Sequence, residues 1–117
     1  MEESILTSIK KLLGISEECT DFDVDIITHI NTVFMVLTQL GIGPNEGFFI
    51  ENKDDVWSDY IDDETNLKAI KTYIYLKVRI VFDPPTNTSL LESMQNSIKE
   101  LEWRLNVQVE SVNKEVQ

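Results

Sequence analysis

Apolar residues recur along this chain at three- and four-residue spacings, in stretches separated by acidic, glycine-rich or proline-rich breaks. That period is the signature of amphipathic helices. Ile5, Leu6, Ile9, Leu12 and Leu13 fall on one face and predict a short helix over about Ser4 to Leu13, with Gly14 as its stop. Glu2 and Glu3 sit near the positive end of its dipole. After an acidic connector, Asp23 is the expected cap of a longer helix running to Leu40. Ile26, Ile27, Ile30, Val33, Phe34, Leu37 and Leu40 form its broad apolar stripe, and Gly41, Gly43 and Pro44 end it.

Residues 41–56 read as a loop with a short strand at Phe48, Phe49 and Ile50, followed by a helical turn holding Val56, Trp57, Tyr60 and Ile61. A helix starting at Thr65 and running to Phe82 carries Leu67, Ile70, Tyr73, Ile74, Val78, Val81 and Phe82 on one face. Tyr75, Leu76 and Ile80 add apolar surface elsewhere on its circumference, so it is expected to be covered on several sides. Asp83, Pro84 and Pro85 break it. Ser89 and Glu92 suggest a capping box for a last helix, whose seam is Leu91, Met94, Ile98, Leu101 and Leu105. From Asn106 to Gln117 the pattern weakens, and the reading is a frayed tail or an arm that orders on a partner. The expected fold is mainly α: a small helical bundle with a long early helix, a central buried helix and a C-terminal helix. To these it adds a loop or short-strand insertion and an extended C-terminal arm. The expected division is a helical domain over 1–106 and an arm over 107–117.

Composition changes this picture in one respect. The length of 117 residues suits a single domain. The net charge of −11 argues against a basic nucleic-acid-binding surface. It is also unevenly placed: residues 1–66 hold 15 acids and 3 bases, and residues 67–117 hold 6 acids and 7 bases. Such asymmetry suits head-to-tail contact between copies, although an acidic face is more often simply solvated. No apolar run reaches the roughly 20 residues of a membrane span. The acidic start lacks the basic region of a signal peptide, so synthesis and retention in a cytoplasm are expected.

Candidate chemistry is sparse. Cys19 is the single cysteine, without a partner at metal-ligand spacing. Asp21, Asp23 and Asp25 resemble the start of a calcium loop, but Ile26 and Thr32 occupy the places that need Gly and Glu. Asp54, Asp55, Asp59, Asp62, Asp63 and Glu64 form a dense acidic patch without a neighbouring base to organise catalysis. His29 is the only histidine and borders the apolar stripe, where a satisfied boundary side chain is the commoner role. No catalytic residue, cofactor site or metal site is expected. Trp57 and Trp103 are core fillers or interface anchors. Trp103 lies off the last helix's seam and is the better candidate for a second contact, internal or intersubunit.

Four segments together resemble a known family. The long early helix over Asp25–Leu37, the turn Trp57–Ile61, the central helix with its Asp-Pro-Pro ending over Lys71–Pro85, and the closing Glu100–Asn106 are similar to the head–tail connector (adaptor) proteins of siphophages and prophages of Gram-positive bacteria. The resemblance covers nearly the whole chain and rests on structural residues. It implies a non-enzymatic virion protein, made in the bacterial host cytoplasm. Such a protein forms a ring, dodecameric in the virion, beneath the portal. The implied partners are other copies of the chain, the portal protein, and a stopper or tail-completion protein. DNA passes through the channel without specific binding, and no membrane is involved. The resemblance further implies that the C-terminal arm reaches the portal, which here means Val107, Val109, Val112 and Val116.

A ring needs two different complementary faces. The expected pairing sets Asp54, Asp55, Asp59, Asp62 and Asp63 of one subunit against Lys68, Lys71, Lys77 and Arg79 of the next. The alternative reading is a small acidic protein that binds another protein, such as an inhibitor mimicking nucleic-acid charge.

Overall fold

The computed structural model describes residues 3–61 and 64–116, with only the helical backbone described for 64, 65 and 108–116. Among these residues five helices follow in order: α1 (Ile5–Leu13), α2 (Asp23–Gln39), α3 (Trp57–Tyr60), α4 (Glu64–Phe82) and α5 (Thr88–Val116). Among the described residues there is no strand. Phe48–Ile50 is extended loop, and one isolated antiparallel bridge joins Ser4 to Val56.

The local rules account for most helix ends. Ser4 caps α1 by accepting the Thr7 N–H at 3.2 Å, and Gly14 closes it in the left-handed region at φ +81°. Asp23 is not the cap of α2; it is the first helical residue, because its carboxylate is taken by Lys10 at 2.9 Å. The expected capping box at Ser89 and Glu92 is likewise replaced. Asn87 caps α5, accepting the Leu90 N–H at 3.1 Å, so the helix starts at Thr88.

α4 is the centre of the bundle. α1, α2 and α5 all pack on it, while α2 and α5 make no substantial contact with each other. Its residues Ile70, Tyr73, Ile74 and Val78 are fully buried, against Ile26, Ile30, Phe34 and Leu37 of α2 and Ile5 and Ile9 of α1 in the same core. Each such side chain contributes about 2 kcal/mol relative to exposure. Phe22, just before α2, meets Phe82 at the end of α4 edge-on at 5.5 Å, so α2 and α4 run antiparallel. The short Asp83–Asn87 turn folds α5 back along α4 through Met94, Ile98 and Leu105. The last helix runs on to Val116, so the arm takes the form of a continuation of α5. The 29 residues of α5 amount to about 43 Å of helix, close to the molecule's longest dimension of 47 Å.

Candidate assembly faces

The acidic segment is built as a structured loop. Asp55 accepts the Glu51 N–H at 2.7 Å and the Asn52 N–H at 3.3 Å, which curls residues 51–55 around its carboxylate. The Asp55 carbonyl in turn receives the Ile5 N–H at 3.0 Å, tying this loop to the start of α1. Asp59 accepts the Val56 N–H at 3.3 Å, half of a capping box, since Val56 has no side-chain acceptor to complete it. Asp54 and Asp59 are exposed and Asp55 is half-buried. Asp62 and Asp63 lie outside the described residues.

The four bases expected to face this segment are not equivalent. Lys71 donates to Glu3 at 3.0 Å and stands 5.2 Å from the centre of the Trp57 ring. That contact, more than any other, holds the Glu3 carboxyl below the usual carboxylate range. Lys77 lies 5.7 Å over Tyr73, and Arg79 donates to the Tyr75 hydroxyl at 2.9 Å. Lys68 alone of the four is exposed and makes no such contact among the described residues. Thus α4 carries the bases on several sides of its circumference, two of them stacked on the molecule's own aromatic rings.

Trp57 is a core residue, 3% exposed, whose indole N–H donates to Ser8 at 3.0 Å. Trp103 is 65% exposed, which settles its role against an internal contact. Val107 beside it is also exposed. The side chains of Val109, Val112 and Val116 lie outside the described residues. Between α4 and α5 runs an open trough of about 460 Å³, floored by Leu76 and Leu101 and rimmed by Thr72, Ser97, Glu100 and Arg104. Its two charges satisfy each other, Arg104 meeting Glu100 at 2.8 Å. Among the described residues, no three His, Cys, Asp or Glu side chains are placed to share a metal ion. No helix there is long and apolar enough to cross a membrane.

Two structural devices had no counterpart in the sequence pattern. Lys10 is 3% exposed, and its ammonium meets Asp23 at 2.9 Å, the Cys19 carbonyl at 2.6 Å and the Glu17 carbonyl at 3.1 Å. Asn31 both donates to the Ile50 carbonyl at 3.0 Å and accepts the Ile50 N–H at 2.8 Å. A lysine and an asparagine in helical runs carry no sequence signal for such roles, because their partners are loop backbone placed by the fold.

The family model for phage connector proteins matches residues 5–112, from the first residue of α1 well into α5. The chain belongs to the phage connector protein family. The connector is therefore a structural component of a phage particle, and its five-helix bundle is the form that this role takes here. No curated protein matches the connector's chain, and no solved structure does.

Proposed function

We propose that this connector is a head–tail adaptor. In this reading it forms a ring, dodecameric in the virion, below the portal of a siphophage or prophage of a Gram-positive bacterium. The ring extends the DNA channel and offers the stopper or tail-completion protein a docking surface. The observation that carries the reading is the family match over residues 5–112, which runs from the start of α1 well into α5. The protein catalyses no reaction and acts by shape and charge alone. It is made in the host cytoplasm before joining the particle.

The uneven charge supports a heterologous contact between copies. Acids at Asp54, Asp55, Asp59, Asp62 and Asp63 face one neighbour, and bases on α4 the other, with Lys68 the most available. The α5 extension beyond residue 107 is the arm that meets the portal, with Val109, Val112 and Val116 as its apolar positions, and Val107, the first of the four expected there, is left to contact between copies. Net negative charge repels DNA phosphates, so DNA slides through the ring without specific binding.

The test is electron microscopy of lysates from a phage or induced prophage in which this gene is disrupted. Filled heads and finished tails are expected to accumulate unjoined, and the wild-type gene supplied in trans should restore joining. Tailed particles in normal numbers without the gene would overturn the adaptor reading and favour an acidic inhibitor of another protein.

A further inference from the structure

We propose that the outer face of α5 around Trp103 packs onto the outer face of α2 of a second copy of this chain, repeating head to tail. This deepens, and rests on, the ring-forming reading above.

The first observation is an absence of charge. In a chain with 26% charged residues, positions 26–45 contain no Asp, Glu, Lys or Arg. The core takes the side of α2 that carries Ile26, Ile30, Val33 and Leu37. The opposite side presents Val24, Thr28, Thr32 and Met35, all exposed, with Val24 at 76% and Met35 at 50%. The Thr28 hydroxyl donates to the Val24 carbonyl at 2.9 Å and the Thr32 hydroxyl to the Thr28 carbonyl at 3.0 Å. Those donors are already used, so the face requires no polar partner. A solvated helix face ordinarily carries charge. An exposed one that lacks it and carries Val and Met has the composition of an interface core.

The second observation is the complementary face. On α5, Trp103 and Val107 are exposed one turn apart on the side away from the Met94–Ile98–Leu105 seam. Lys99 is exposed one turn before Trp103 and makes no ion pair among the described residues. A large exposed aromatic beside a free cation is a typical interface anchor. The α2 face has its matching acid at one end only, where exposed Asp25 borders it, also without an ion pair among the described residues.

Direction and placement make the two faces compatible. α2 and α5 each run antiparallel to α4, so they are parallel to one another and occupy separate flanks of it. Rotation about an axis near the helix direction therefore brings α5 of one copy beside α2 of the next, still parallel. With Lys99 set beside Asp25, Trp103 falls near Thr28 and Val107 near Thr32, since both helices rise about 6 Å per four residues. The faces differ, so the contact is heterologous and closes only as a ring.

Disulfide trapping in assembled particles tests this. In a Cys19→Ser background, Val107→Cys is combined in turn with Thr28→Cys, Thr32→Cys and Met35→Cys in the phage gene. Purified tailed particles are oxidised and run on non-reducing gels. At least one pair should give a ladder of covalent multimers beyond the dimer, and the single variants none. Joined particles that contain the protein but yield no ladder from any pair overturn this interface and leave the adaptor reading standing. Joined particles that lack the protein overturn the adaptor reading itself. A cross-link to a different virion protein gives the face to that protein and also overturns the proposal. Should the cysteine variants not support joining, a charge exchange decides. Lys99→Glu should lower the yield of joined particles about tenfold, and adding Asp25→Lys should restore it to within about twofold. An unchanged yield, or no restoration, overturns the contact.

Discussion

Lys10 is the residue on which the acidic connector depends. Its ammonium donates to the backbone carbonyls of residues 17 and 19 and forms an ion pair with the Asp23 carboxylate. It anchors residues 16–22 to both α1 and the first turn of α2. Removing the ammonium leaves those oxygens without their partner. Lys10→Met, which keeps the aliphatic stem, is expected to cost about 3 kcal/mol, the low end for a broken buried pair because Asp23 is partly exposed. The melting temperature should fall by about 10 °C, readable by circular dichroism.

Tyr60 and Tyr73 set the alkaline limit at the same scale. Burial raises both phenols well above their ordinary value of 10.0, and the charge of Glu102 adds to the effect at Tyr73. The unfolded chain releases these protons first. Their contribution is fully present below pH 10.0 and is lost as pH rises beyond it towards the raised folded values. Thermal melts should therefore show a steep loss of stability above about pH 10. The Tyr60 hydroxyl makes no hydrogen bond among the described residues. Tyr60→Phe should thus be at least as stable at neutral pH and less sensitive to alkali.

At the scale of elements, the loop between α2 and α3 is held by side chains in place of a sheet. Asn31 binds both backbone groups of Ile50, as a neighbouring strand would. Phe48 then reaches a ring cluster with Phe34 and Tyr60, at centroid distances of 5.1 Å to each. The close approach of Gly43 to Tyr60 requires glycine: a Cβ there would lie 2.6 Å from the ring, at φ +84°. The consecutive apolar residues at 48–50 suggest a strand, yet the described residues offer no second strand to pair with it. Asn31→Ala removes both bonds and should cost about 2 kcal/mol in urea unfolding. Amide exchange at residues 48–50 should accelerate far more than in α4.

For the whole molecule, charge is the feature that reaches beyond the fold. Most bases on α4 are engaged inside the chain, and Lys68 projects outward. Lys68→Glu should leave the melting temperature within about 2 °C of wild type, since an exposed charge contributes little to folding. In a complementation assay it should lower the yield of joined particles severalfold, because a charge on a contact rim acts on association. Equal joining by this variant would remove Lys68 from the assembly face.

The elements themselves were legible in the sequence because each depends on neighbours three or four residues away. Ser4 and Gly14 bound α1 by their own backbone chemistry, the apolar stripe of α2 names its buried side, and an all-round apolar α4 has to lie at the centre. The Asp-Pro-Pro turn ends α4 wherever the rest of the chain goes. The family was legible for the same reason, since its pattern is one of helix-forming residues in order. What the sequence could not decide was which of several equivalent polar side chains turns inward. Lys10 and Lys11 are adjacent lysines, yet only Lys10 is buried, because the fold brings the carbonyls of Glu17 and Cys19 to it. Trp57 and Trp103 are the same residue type on helical segments, and only packing on Ser8 makes one of them core. Local periodicity determines helices. Burial of a particular charge or ring is settled by segments distant along the chain, whose positions exist only once the bundle has closed.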